Sequence, residues 1–108
     1  MIDFYEQDVS QKLEDLLDVV FEKEIQVEIA KTIINHIKKY HRLSYSETKD
    51  LINENGFARS TFYYVLQKMK RLGMVVKLHG TGQYILSKRF GNALNRMYKA
   101  WKKLLEEV

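Results

Sequence analysis

Two glycines, Gly56 and Gly73, bracket "FARSTFYYVLQKMKRL", and no proline occurs anywhere in the chain. A proline-free chain with so few glycines has little to stop a helix, so each glycine marks a boundary. The bracketed segment reads as one helix. At 100° per residue, Phe62, Val65, Leu66, Met69 and Leu72 share its buried side. Ser60, Tyr64, Gln67 and Arg71 lie opposite, flanked by Thr61, Tyr63 and Lys68, and no carboxylate falls in the segment.

Periodicity extends the reading in both directions. Val9, Leu13, Leu16, Leu17 and Val20 mark a first helix over about 4–21, and Val27, Ala30, Ile33, Ile34, Ile37 and Tyr40 mark a second over 24–41. A break near Phe21–Glu24 competes with one long bent helix, because neither Gly nor Pro separates the two. Ser46 is the expected cap of a third helix that ends at Asn55 and buries Leu51 and Ile52. Gly56 is placed to close it in the left-handed conformation. Beyond Gly73, Val75, Val76 and Leu78 form a strand, and Tyr84, Ile85 and Leu86 form its partner. "HGTG" supplies the glycines of the turn between them. Ser87 then caps a last helix, whose apolar residues Phe90, Leu94, Met97, Trp101, Leu104 and Val108 are spaced 4, 3, 4, 3, 4. That is the heptad seam of a helix lying along another helix. The expected fold is mainly α with a small β-hairpin, in one domain over 1–108.

Charge is the next constraint. The net charge of +4 conceals an asymmetry: residues 1–30 hold nine acids and two bases, whereas Asn55 to Leu105 hold eleven bases and no acid. Fifty residues of one sign favour a polyanionic partner. No apolar run approaches the ~20 residues that span a bilayer, and no signal peptide is visible, so no membrane association and a cytoplasmic protein are expected. With no cysteine, disulfides and thiolate chemistry are excluded. His36 and His41 lie about 140° apart around one helix and cannot share a ligand, and His79 has no acidic or thiol neighbour in sequence. No phosphate-cradling glycine loop, Ser-His-Asp pattern or paired carboxylates occur, so a non-enzyme without metal or cofactor is expected.

The order helix, helix, helix-turn-helix, hairpin, helix resembles the winged helix-turn-helix domain. Leu43-Ser44, Gly56, Arg59-Ser60-Thr61 and Leu72-Gly73 match the family's run, over residues 24–87. Ala58 stands where that family often has a capping Ser or Thr. The flanking segments, 1–23 and 88–108, are similar in layout to the dimerising arms of MarR, PadR and archaeal Lrs14-like regulators. The resemblance implies a homodimeric transcription regulator that binds double-stranded DNA, its small-molecule effector unknown. The helix from Arg59 to Gly73 would enter the major groove, which admits one helix. Ser60, Thr61, Tyr63, Tyr64 and Gln67 would read bases; Arg59, Lys68, Arg71 and Lys77 would hold phosphates. The wing would be Lys77 with His79, Gly80, Thr81, Gly82 and Gln83. Val9, Leu13, Leu16 and Val20 of the first helix would pair with Phe90, Leu94, Met97, Trp101 and Leu104 of the last across a two-fold axis. Two rivals use the same fold: a module that holds protein or RNA, and a chromatin-type protein that coats DNA without sequence preference.

Overall fold

A computed structural model describes residues 12–107. Its elements are α1 (12–20), α2 (Glu24–Tyr40), α3 (Tyr45–Asn55), α4 (Arg59–Leu72), β1 (Val75–Lys77), β2 (Tyr84–Leu86) and α5 (Arg89–Glu106). The chain is mainly helical with one small antiparallel hairpin, as the periodicity predicts. Val9 and Val108 lie outside the described residues.

α2 is the centre of the molecule. Its Val27, Ile29, Ala30, Ile33, Ile34 and Ile37 are buried, and it packs against α4 and β2. α1 and α2 are separate helices. Phe21 is buried where α1 ends, and the Lys23 amide donates to Gln26 Oε1 at 3.4 Å where α2 begins. The other end of α2 falls within one residue of the expected 41. It stops at Tyr40 because His41 turns into the left-handed region (φ 67°), its amide donating to the Ile37 carbonyl at 2.6 Å. Histidine, like Asn and Asp, takes that conformation more readily than other non-glycine residues, and Lys38 and Lys39 lie in the last turn, where cations suit a helix end. Tyr40, expected in the core, is half exposed.

Leu43 then pairs with Tyr84 through two backbone hydrogen bonds of 2.9 Å, which adds a third short piece to the sheet. The cap of α3 is Ser44, not Ser46. Its Oγ accepts from the Glu47 amide at 3.3 Å and donates to Glu47 Oε1 at 2.7 Å. The spacing decides between the two serines, since only Ser44 has a carboxylate three residues on. Gly56 (φ 65°) closes α3, and the Phe57 amide returns to the Ile52 carbonyl at 3.1 Å. Buried Phe57 then lies 6.3 Å from Phe62 at the entry to α4.

α4 buries Phe62, Val65, Leu66 and Met69, and packs on β1 as well as α2. Leu72, expected on the same face, is partly exposed at the last turn. Gly73 (φ 82°) ends the helix, and two features favour glycine at that position. Its backbone is left-handed, and a Cβ there would stand 2.9 Å from that of Arg89. The hairpin register is Val75↔Leu86, Val76↔Ile85, Lys77↔Tyr84. Leu78 falls outside the strand and is exposed. Ser87 accepts from the Arg89 amide at 3.2 Å, but Lys88 occupies the cap position of α5, one residue later than expected. No residue of α5 is buried; Phe90 alone packs partly on the core, tied by its amide to the Gly73 carbonyl at 3.1 Å.

Candidate nucleic-acid interface

The buried side of α4 fixes what its outer side can present. With Phe62, Val65, Leu66 and Met69 locked inward, Ser60, Tyr64, Gln67 and Arg71 form an exposed stripe along the axis. Tyr64 is 47% exposed, so its hydroxyl and one side of its ring are open to a partner. The flanks differ from the sequence expectation. Tyr63 is half-buried, with its ring edge-on to Phe62 at 5.9 Å, and Arg59 lies over it at 5.8 Å. Thr61 is half-buried on the opposite flank.

Lys68 needs correction. Its Nζ donates to the Val20 carbonyl at 2.7 Å, and the ammonium lies 5.1 Å from the centre of the Phe21 ring. That carbonyl belongs to the last turn of α1, where unpaired carbonyls favour a cation. Lys68 is thus held back against the chain rather than free on the outer face. The exposed base on the other flank is Lys70. Helical angle alone cannot separate the two, because Lys68 turns inward only through a tertiary contact.

A second wall faces the stripe. Glu22, Lys23, Ile25 and Gln26, from the end of α1 to the start of α2, line a cleft of about 490 Å³ with Ser60, Thr61 and Tyr64. The acid-free span of sequence is therefore not acid-free in space, since Glu22 shares this cleft with three candidate base-reading residues.

The hairpin loop is braced from within. The Leu78 amide donates to the Gln83 carbonyl at 2.7 Å. The Thr81 hydroxyl donates to the Leu78 carbonyl at 3.3 Å and accepts from the Gln83 amide at 3.2 Å. His79, Gly80 and Thr81 are exposed, Gly82 and Gln83 half-buried, and Lys77 Nζ lies 6.0 Å from the Tyr84 ring centre. The loop leaves His79 exposed at its tip and Lys77 beside the Tyr84 ring, while Thr81 spends its hydroxyl on the turn.

The proposed dimer surfaces divide. Leu13 and Val20 pack on the core of their own chain, beside fully buried Leu17, and Leu16 is half-buried. The expected pairing of α1 with α5 of a second copy therefore loses Leu13 and Val20 to the chain's own interior. On α5 the seam is open: Met97, Trp101 and Leu104 are more than half exposed, and Leu94 is 37% exposed. Tyr98 and Leu105, not part of the 3–4 seam, widen the same face.

A further polar cluster ties α2 to α3. His36 Nε2 contacts Glu47 Oε2, Arg42 Nε lies 3.6 Å from Glu47 Oε1, and the His36 and Tyr40 rings are 4.7 Å apart. Hydrogen bonds from Ser44 and His36 hold the Glu47 carboxyl below its usual range, against a smaller opposing effect of burial. Among the described residues no group of His, Asp or Glu is arranged to hold a metal ion, and no helix is long and apolar enough to cross a membrane.

Neither a curated protein nor a solved structure matches this chain. A family model described as an archaeal family matches residues 10–106, all but the two ends, and the protein belongs to that archaeal family.

Proposed function

We propose that the protein is a winged-helix, homodimeric transcription regulator of the cytoplasm that reads double-stranded DNA with α4. The observation that carries this reading is the exposed Ser60, Tyr64, Gln67 and Arg71 stripe on a helix whose other side is locked in the core. A base-reading surface needs donors and acceptors on a rigid element, and it must tolerate phosphates nearby. Gln67 offers the bidentate pair that suits adenine, and the hydroxyls of Ser60 and Tyr64 can donate or accept. Arg59, Lys70 and Arg71 surround them with phosphate-binding charge. The Lys77–Gln83 hairpin then serves as the wing, with His79 and Lys77 toward the backbone or minor groove.

α5 supplies the dimer contact. Its apolar residues span about 160° of the helix at 100° per residue, and Ala93 and Ala100 border the seam. No charge falls at those borders, so two copies of this basic helix can pair without opposing like charges. A monomer would leave Leu94, Met97, Tyr98, Trp101, Leu104 and Leu105 as one continuous apolar patch. Pairing α5 with α5 of a second copy covers it and sets two copies of α4 at a fixed distance.

Selection from a random duplex pool tests the reading. The expected result is an enriched inverted repeat with half-sites about 34 Å apart or a multiple of it. Retention of duplexes with no enriched sequence would assign the protein to coating. Failure to retain any duplex at low salt would leave the α4 face to a protein or RNA partner.

A further inference from the structure

Beyond α4, the strongest unpaired feature is the polar side of α5. Lys88, Arg89, Arg96, Lys99, Lys102 and Lys103 are all exposed, and none forms an ion pair among the described residues. At 100° per residue all six fall on the side away from the apolar face, with no acid before Glu106. From Arg89 to Lys103 the ridge is about 21 Å long at 1.5 Å per residue. Pairing through the apolar face leaves this side outward on both copies.

Its position separates it from the reading face. The Phe90 amide bonds to the Gly73 carbonyl at 3.1 Å, so α5 starts where α4 ends. α4 has 14 residues, which sets that point about 21 Å from its first turn. A recognition helix meets base edges with its N-terminal residues, so the α5 ridge begins on the side of the domain remote from the bases. A straight duplex of the ridge's length carries about a dozen phosphates on its two strands, an excess over the bases available.

We propose that the α5 ridge is a second surface for duplex DNA, by which one dimer joins two DNA segments. This rests on the DNA-binding reading of α4 and on the α5 pairing. The ridge is dominated by six cations spread along one helix face, so the second segment is held mainly through its phosphates, which carry no sequence information.

The experiment is a two-duplex capture. A biotinylated duplex is fixed on beads, the wild-type protein is added, and retention of a second, fluorescent duplex is measured. Single-duplex affinity is measured in parallel by anisotropy. The wild type should retain the second duplex. Lys99→Glu with Lys103→Glu should lower that retention about tenfold or more, while single-duplex affinity stays within about threefold. Lys99→Gln with Lys103→Gln should fall between, and it stands in if the charge reversal disturbs folding. No retention by the wild type, unchanged retention by the variants, or parallel loss of both activities would overturn the proposal. So would binding of the wild type to phosphatidylserine vesicles, lost in the same variants, with no second duplex held. Absence of any duplex binding would overturn the α4 reading as well, whereas binding without bridging would remove the α5 surface alone.

Discussion

Lys68 of α4 and Val20 of α1 are joined by a hydrogen bond of 2.7 Å from the ammonium to the backbone carbonyl. The bond crosses between elements 48 residues apart in sequence and fastens α1 to the candidate reading helix. It also removes from the outer face a base that the helical pattern places there.

Lys68 and Arg71 should therefore behave differently. Lys68→Met keeps the apolar stem over Phe21 but loses the bond to Val20, and should cost about 1 kcal/mol of stability. Its log–log salt dependence of duplex binding should stay at the wild-type slope. Arg71→Ala should leave stability nearly unchanged, weaken all duplexes alike, and make the slope shallower by about one per protomer. Thermal unfolding and a salt titration of each variant separate the two; a slope change in Lys68→Met would return that lysine to the DNA face.

Base reading should divide from phosphate holding on α4 itself. Tyr64→Ala and Gln67→Ala remove exposed groups that support no core contact. Each should change the preferred sequence at one position, by about 1–3 kcal/mol. Competition between the selected site and its single-base variants is the measurement. Equal weakening at every site would mean that the stripe contributes contact without reading.

Much of this was legible from sequence, and the exceptions share a cause. Gly56 and Gly73 located α3 and α4 because only a left-handed end needs glycine there. The inward set Phe62, Val65, Leu66 and Met69 followed from local period. What stayed hidden depended on contacts far along the chain: Leu43 joining Tyr84, Lys68 reaching Val20, and Glu22 sharing a cleft with Ser60, Thr61 and Tyr64. Ser44 is readable from its spacing to Glu47, whereas three residues beyond Ser46 stands Lys49, which cannot complete a capping box. The α1 stripe misled for another reason, since periodicity reports an apolar face without saying which copy of the chain covers it.

Glu47 should make stability depend on acid. Its carboxyl is held below the ordinary 4.5 by bonds from Ser44 and His36. A group with a lowered folded value contributes fully above its unfolded value, and that contribution is lost as pH falls through the folded one. Unfolding followed from pH 7 to 3 should show a decline that begins below about 4.5. Glu47→Gln should be less stable at pH 7 by about 1–2 kcal/mol and should flatten that part of the decline. An unchanged acid profile would mean that the cap and the His36 contact contribute equally in both charge states.

The two helix-ending glycines should differ in tolerance. Both adopt positive φ, so alanine is strained at either, by about 1 kcal/mol. A Cβ at Gly56 meets open space, whereas one at Gly73 meets the Arg89 Cβ at 2.9 Å and the Phe90 amide at 3.3 Å. Gly56→Ala should cost about 1 kcal/mol. Gly73→Ala should cost about 1–3 kcal/mol more, the scale of an overpacked contact. Denaturant midpoints of the two variants test this. Equal losses would show that the start of α5 shifts freely instead of being fixed against the end of α4.

The final expectation concerns α5, whose side chains beyond Phe90 do not join the core cluster formed by the described residues. That separation makes its dimer role testable without unfolding the domain. Leu94→Asp with Trp101→Asp places two charges on the apolar face; in a dimer they would be buried without partners, which is costly. In the free chain both positions are exposed already, at 37% and 60%, so the monomer should keep its fold. Sedimentation equilibrium should give a dimer of the 12.9 kDa wild-type chain at tens of micromolar, and a monomer for the variant. Far-ultraviolet circular dichroism should remain helical. DNA affinity should fall with dissociation, because one half-site offers half the phosphate contacts, and the salt slope should fall by about half with it. A wild-type monomer would show that the apolar face of α5 has another occupant, and a variant that unfolds would show that α5 supports the core more than its exposure indicates.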